Sequence, residues 1–335
     1  MIHGGSLILS RTSIELVQQC ASRQSYLGLV HERPLGRDLT DSSTQEGNPT
    51  NMDIRKPEEE RSYKLERLIL KSSGHRLLGT IRVPTDTDFV PPPVLVLHGF
   101  PGVAPIVNDI ASDLCQAGFA PMMFHYRGCW GSNGRYSFLG AINDTQEALT
   151  VLSHRRDLDV SRLAVVGHSF GGLIATCVAS RNDMIRAAIA LCPVSSLRED
   201  LTWRHTKIIL RRGLPFVSGL KMPRALREWA SLAEDYDPID FVGRISPRPF
   251  LLIHGDKDEI IPLRCSERLL SRAQQPKEMF TVEGADHIFA GKQKITIKRC
   301  LDWLKKASEL PEGDIATRIG NSPSPLNNGQ KIVAN

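Results

Sequence analysis

From Leu65 onward the chain alternates short apolar runs with stretches whose apolar positions recur at helical spacing. Eight runs read as strands, at residues 65–71, 77–83, 94–97, 120–125, 163–166, 187–191, 250–253 and 279–282. The later ones are continuous runs of apolar residues without alternation, the pattern of strands covered on both faces. Between them, residues 104–117, 141–153, 172–180, 263–272 and 292–307 read as helices. Such alternation predicts an α/β domain whose mostly parallel sheet is sandwiched by helices. A Ser-Gly turn at 72–75 separates the first two runs, so an antiparallel hairpin is expected ahead of the parallel part. The rhythm breaks once, from Ser195 to Pro247, where helical patches around 203–212 and 224–233 stand without a strand. A helical insertion of this size between two core strands is expected to form a cap over the sheet.

Both ends read differently. Residues 32–61 are rich in charged, Ser, Thr and Pro residues, a composition that cannot bury a core, so 1–60 is expected to be a disordered extension. Residues 1–51 fit either a transit peptide or translation from an upstream start, Met52 lying just ahead of the part that reads as folded. The segment 311–335 mixes Pro, Asn, Gly and Ser and reads as a flexible tail, leaving 61–310 as the domain.

Composition narrows the function. A net charge of +5 on 335 residues is too small and too evenly spread to argue for nucleic acid. No apolar run reaches the ~20 residues of a membrane span, so no integral membrane segment is expected. The seven cysteines include no CxxC pair, hence no usual zinc or redox signature, and several sit inside apolar runs as small core residues. A reducing, cytoplasmic setting follows, with no cofactor or metal expected.

The candidate chemistry centres on Gly167-His168-Ser169-Phe170-Gly171, a GxSxG sequence between a strand-like run and a helix-like one. A serine on such a turn needs small neighbours, and the turn aims a helix N-terminus at the reacting centre. Because a serine hydroxyl is a poor nucleophile unless a base takes its proton, a histidine is required. In sheets of this build the order is serine, acid, histidine. His287 follows the last strand in Gly284-Ala285-Asp286-His287, and it is the candidate base. The acid belongs after the penultimate strand, in His254-Gly255-Asp256-Lys257-Asp258-Glu259, where Asp256 and Asp258 compete, with Glu259 more distant. The one not used should bond its own turn. Asp286 reads as a loop former. Two backbone N–H groups should receive the developing oxyanion: that of Phe170, and that of Phe100 in His98-Gly99-Phe100-Pro101-Gly102 after the third strand.

On these blocks, residues 66–306 resemble the α/β-hydrolase superfamily, most closely small esterases and the catalytic domains of the prolyl oligopeptidase-like group. They are joined by a further one, Tyr126-Arg127-Gly128 with Gly131-Ser132. The resemblance implies an α/β-hydrolase fold and selects Asp258, the second Asp of a G-D-x-D-x-x-x-P block ending at Pro262. It also implies that Arg127 is structural and that Trp130 lines an acyl pocket. His125 departs from the family, which carries an acidic residue there. The implied reaction is cleavage of carboxylic esters or thioesters through an acyl-enzyme on Ser169. A peptidase of the same group is the alternative, disfavoured because related oligopeptidases carry a large substrate-screening domain ahead of the hydrolase. A non-catalytic ligand-binding protein of this fold is a third reading. The insertion adds a substrate hint: eight Lys or Arg lie between 198 and 227, against Glu199 and Asp200, beside apolar stretches. A cap of that kind could attract an anionic acyl substrate or touch a membrane surface peripherally, whereas the plainer reading is a cap helix with its charges in water.

Overall fold

A computed structural model of the chain describes residues 62–102, 105–200 and 203–308. The expected N-terminal extension and C-terminal tail lie outside the described residues. Eight strands form one sheet: β1 (Tyr63–Ser72), β2 (His75–Pro84), β3 (Pro93–Leu97), β4 (Ala120–Phe124), β5 (Ala164–His168), β6 (Ala187–Leu191), β7 (Phe250–Gly255) and β8 (Lys277–Val282). Their order is β1-β2-β4-β3-β5-β6-β7-β8. The first two pair as an antiparallel hairpin and β2 runs antiparallel to β4. Every later pairing is parallel. Each of the eight expected strands is present, with ends displaced by a few residues.

The continuous apolar runs have the expected cause. Alternate side chains of β3, β5, β6 and β7 enter two separate cores, so neither face can be polar. Leu95, Leu97, Val165, Ala188, Ala190 and Leu252 belong to one core. Val94, Val96, Val166, Ile189, Leu251 and Ile253 belong to the other. Helices α1 (Pro105–Gln116) and α8 (Gln293–Ser308) close the second core through Ile106, Ile110, Leu114, Ile297 and Leu304. Helices α2 (Phe138–Ser153), α3 (Phe170–Ala179) and α7 (Arg264–Arg272) cover the first. All ten residues of α3 are buried, which is why its sequence is apolar around the whole circumference.

Between β6 and β7 stand α4 (Trp203–Gly213), α5 (Met222–Asp235) and the short α6 (Pro238–Phe241). Leu210, Ala225, Trp229 and Leu232 extend the α2–α3 core. Two buried carboxylates tie the ends of this segment down. Asp200 accepts from the N–H groups of Ser195 (2.7 Å) and Ser196 (2.6 Å) and from Arg268 (2.8 Å). Asp237 accepts from Ser196 Oγ (2.9 Å) and Leu197 N (3.0 Å) and pairs with Arg198 (2.8 Å). Arg211 and Arg212 are exposed. Among the described residues no helix is long and apolar enough to cross a membrane.

Candidate active site

The C-terminal ends of the parallel strands carry the candidate residues. Ser169 stands between β5 and α3 with φ 57° and ψ −120°, a region that non-glycine residues occupy only when their surroundings enforce it. The enforcement is steric. A Cβ on Gly167 would lie 2.0 Å from the Gly171 carbonyl oxygen, and one on Gly171 would lie 2.4 Å from that of Leu97. The turn is therefore so tight that only glycine fits on either side of the serine. Ser169 N–H donates to Leu191 O on the adjoining strand (2.8 Å), while Leu173 N–H donates to Ser169 O (3.1 Å) and starts the helix.

His287, on the loop between β8 and α8, presents Nε2 to Ser169 Oγ at 3.0 Å. Its Nδ1 lies 2.7 Å from Asp258 Oδ2, so the imidazole donates from Nδ1 and keeps the Nε2 lone pair for the serine proton. The main chain of His287 is held too, its carbonyl accepting from His168 Nε2 at 2.7 Å. Asp258 is buried and well supplied with donors: Oδ1 accepts from the N–H groups of Ile260 (2.9 Å) and Ile261 (2.8 Å). Burial alone would raise its pKa. The adjacent His287 and His254 outweigh that effect and hold the carboxyl below the ordinary carboxylate range.

Of the two competing acids, the structure brings Asp258 to the histidine. Asp256, the acid not used, was expected to bond its own turn, and the structure corrects this. Its Oδ1 instead accepts from Gly284 N–H (2.6 Å), joining the acid loop to the histidine loop. Asp286 is a loop former, accepting from Ile288 N–H (3.1 Å) and Ala290 N–H (2.9 Å). His254 lies behind the acid. Its Nε2 donates to Ile261 O (2.8 Å) and stands 3.3 Å from Asp258 Oδ2, and its Nδ1 accepts from Ser266 Oγ (2.7 Å).

The loop 98–102 reaches Ser169 from β3. A Cβ on Gly99 would come within 3.0 Å of Ser169 Cβ, so a larger residue would press on the serine itself. Phe170 N–H belongs to the first turn of α3, where amides have no intrahelical acceptor. The Phe100 and Phe170 rings meet a common neighbour: Phe138, at the start of α2, lies 5.2 Å from the first and 5.1 Å from the second. Trp229 of α5 stacks edge-on to Phe138 (5.3 Å), and Glu228 accepts from Phe138 N–H (2.8 Å). None of these three was marked in the sequence; an aromatic at a helix start gives no chemical signal there.

Beneath the loop, His98 and His125 are held neutral. Burial, assisted by His125, pushes His98 down to about 3, and burial pushes His125 down to about 4. Tyr126 Oη donates to His98 O at 3.3 Å. Arg127 is bound by a carboxylate that the sequence did not single out: its Nε donates to Asp144 Oδ1 (3.0 Å) and its Nη2 to the same atom (2.6 Å), while Arg127 N–H reaches Oδ2 (2.9 Å). Trp130 lies against Gly102, where an added Cβ would meet its Nε1 at 2.5 Å.

A mostly parallel eight-stranded sheet flanked by helices, with a serine on the sharp turn after the fifth strand, defines an α/β hydrolase. Residues 111–310 match the prolyl oligopeptidase family. YfhR, an uncharacterised protein of Escherichia coli K12, is 32% identical over 222 residues, 65% of this chain and 71% of its own length. Human acylamino-acid-releasing enzyme is 29% identical over 162 residues, 45% of this chain and 21% of that one. Among solved structures, Est1E of Butyrivibrio proteoclasticus with ferulic acid bound superposes with a TM-score of 0.59 at 19% identity, covering 72% of this chain and 98% of that one. The chain belongs to the prolyl oligopeptidase family and is a serine hydrolase of α/β fold.

Proposed function

We propose that the protein cleaves carboxylic esters or thioesters through an acyl-enzyme on Ser169. The observation that carries the reading is the hydrogen-bonded line Ser169–His287–Asp258, at 3.0 and 2.7 Å, on a backbone held in a strained conformation. In this mechanism Ser169 Oγ attacks the substrate carbonyl while His287 Nε2 takes its proton. Asp258 stabilises the imidazolium and keeps the ring oriented without itself becoming protonated. The N–H groups of Phe100 and Phe170 receive the oxyanion. Collapse of the tetrahedral intermediate passes the proton from His287 to the leaving alkoxide or thiolate. Water then repeats the sequence on the acyl-enzyme and frees Ser169.

The aromatic surround supports an acyl substrate. The Phe100, Phe138, Phe170 and Trp229 rings pack together beside the nucleophile, and Trp130 borders the same loop. Phe138, Phe170 and Trp229 are buried, so an apolar acyl chain would meet this surround at the half-buried Phe100 and Trp130 rings. The second reading, an acyl-peptide or peptide substrate, is favoured by the likeness to human acylamino-acid-releasing enzyme.

One experiment separates the two: turnover of p-nitrophenyl esters from acetate to palmitate against N-acetylaminoacyl p-nitroanilides, with Ser169→Ala as the blank. The esterase reading expects ester turnover peaking at one chain length and lost in the variant. Preferential cleavage of the anilides would replace it with the peptidase reading. If wild type and variant are equally inert, and a fluorophosphonate fails to label Ser169, catalysis at this serine is excluded.

A further inference from the structure

Beneath the acid–base pair lies a thiol that the proposed reaction does not use. Cys192 follows β6, fully buried, with φ 44° and its N–H donated to Ile253 O at 2.8 Å. Its sulfur belongs to two overlapping sets of metal-ligand atoms. With one ring nitrogen each from His168 and His287 it forms a set lying within 4.8 Å of one another, and it does the same with His254 and Asp258. All five side chains are buried.

The sets differ in what they have left to give. His254 spends Nδ1 on Ser266 and Nε2 on Ile261 O, and Asp258 already accepts from Ile260, Ile261 and His287. His168 is different: Nε2 donates to the His287 carbonyl, and Nδ1, a bare lone pair in that tautomer, is buried without a hydrogen-bond partner. A buried acceptor left unpaired is costly unless something occupies it. One thiol with two imidazoles is the donor chemistry of zinc-class cations.

We infer that one thiophilic divalent cation, Zn2+ or a congener, binds Cys192, His168 and His287, and stops hydrolysis reversibly by drawing His287 away from Ser169. The inhibitory half rests on the function proposed above; the binding half does not. Bond lengths of about 2.3 Å to sulfur and 2.0–2.1 Å to nitrogen place tetrahedral donors about 3.5 Å apart. The three donors must therefore close in from at most 4.8 Å. Rotation of the His287 ring, on a loop rather than on a helix or strand, supplies that closure and breaks its bonds to Ser169 and Asp258. The step balances simply: the cation replaces the Cys192 thiol proton, which leaves to solvent.

No CxxC or HxxxH spacing announces such a site, because its donors come from three strand ends far apart in sequence. The test titrates the purified full chain with Cd2+, reading the ultraviolet thiolate-to-metal band, and with Zn2+, reading ester turnover before and after EDTA. Wild type should give the band at one Cd2+ per chain and lose turnover in parallel, recovering with EDTA. Cys192→Ser should lose the band and need at least about tenfold more Zn2+ for the same inhibition. His168→Gln should weaken both effects, which covers the case in which the serine variant folds poorly. Cys300→Ser, at another buried cysteine, should change neither. A band that survives in Cys192→Ser, or Zn2+ inhibition equal in wild type and both variants, would overturn the inference. A Cys192-dependent band in a protein that turns over no ester or anilide would instead leave the site standing and sink the proposed hydrolase.

Discussion

Gly213, the last residue of α4, is expected to govern turnover although it lies in the insertion, far along the chain from the candidate catalytic residues. Its dihedrals, φ −85° and ψ −30°, suit alanine as well as glycine. On backbone grounds Gly213→Ala should therefore stabilise the protein by about 0.4–1 kcal/mol. The added Cβ, however, would stand 2.1 Å from Phe100 Cε1 and 2.6 Å from Cζ, so the ring must retreat by about 1.3 Å to reach ordinary contact at 3.4 Å. It cannot simply swing aside, because Tyr136 (5.3 Å) and Phe138 (5.2 Å) pack against it. Overpacking of this kind costs about 1–3 kcal/mol, which offsets or outweighs the backbone gain and leaves the protein less stable by up to roughly 2.6 kcal/mol. Catalysis has no such compensation. Phe100 N–H is proposed as an oxyanion donor, and a misplacement of about 1 Å at a reacting centre can cost on the order of 10²-fold. The expectation is a kcat lowered by roughly 10- to 100-fold with little change in KM, since the oxyanion develops only in the transition state. The assay is steady-state hydrolysis of the best p-nitrophenyl ester beside a thermal melt. Gly243→Ala, whose Cβ would meet nothing closer than 3.4 Å, is the control. An unchanged kcat in a Gly213→Ala protein that is still folded at the assay temperature would refute the link from insertion to oxyanion loop.

Three other outcomes are expected. Asp258→Asn should keep the fold and lower kcat by about 10⁴-fold, because an amide can hold the histidine in the wrong tautomer; a loss below tenfold would remove Asp258 from its role. Truncating Asp144 to alanine leaves the buried Arg127 guanidinium without its bidentate partner and should cost about 3–5 kcal/mol in urea denaturation, whereas a cost under 1 kcal/mol would mean Ser72 alone can hold the arginine. Acid should destabilise the protein well above the carboxylate range. Burial holds His98 and His168 at about 3 and His125 at about 4, against 6.5 in the unfolded chain. Below pH 6.5 the unfolded state takes up protons that the folded state refuses. Stability is therefore complete above that pH and lost as pH falls toward the folded values. His98 and His168, almost wholly enclosed, together give a slope approaching about 3 kcal/mol per pH unit, with His125 adding less. Urea midpoints that coincide at pH 7.5 and 5.0 would rule this out.

The sequence made legible whatever local physics enforces. Strands β3, β5, β6 and β7 stood out because burial on both faces admits only apolar residues, and Ser169 because Gly167 and Gly171 are the only residues its turn can accommodate. His287 could be placed because a base must follow the last strand. The boundaries were less legible: α2 starts at Phe138, ahead of its first apolar repeat, because Ser137 Oγ accepts from Gly140 N–H and caps it there. What escaped were the contacts between distant segments that no motif marks. Asp144 looks like any polar residue in an amphipathic helix until Arg127, 17 positions earlier, folds onto it. Phe138 looks like one more core aromatic until Phe100, Phe170 and Trp229 converge on its ring. That convergence gives the insertion a role that neither its basic charge nor its apolar stretches revealed. Helix α5 grips the start of α2 through Glu228 and Trp229, α4 presses Gly213 on Phe100, and both proposed oxyanion donors hang from the same ring. An insertion built this way touches the residues that position the proposed donors, so changes in α4 and α5 should appear in kcat rather than in KM alone.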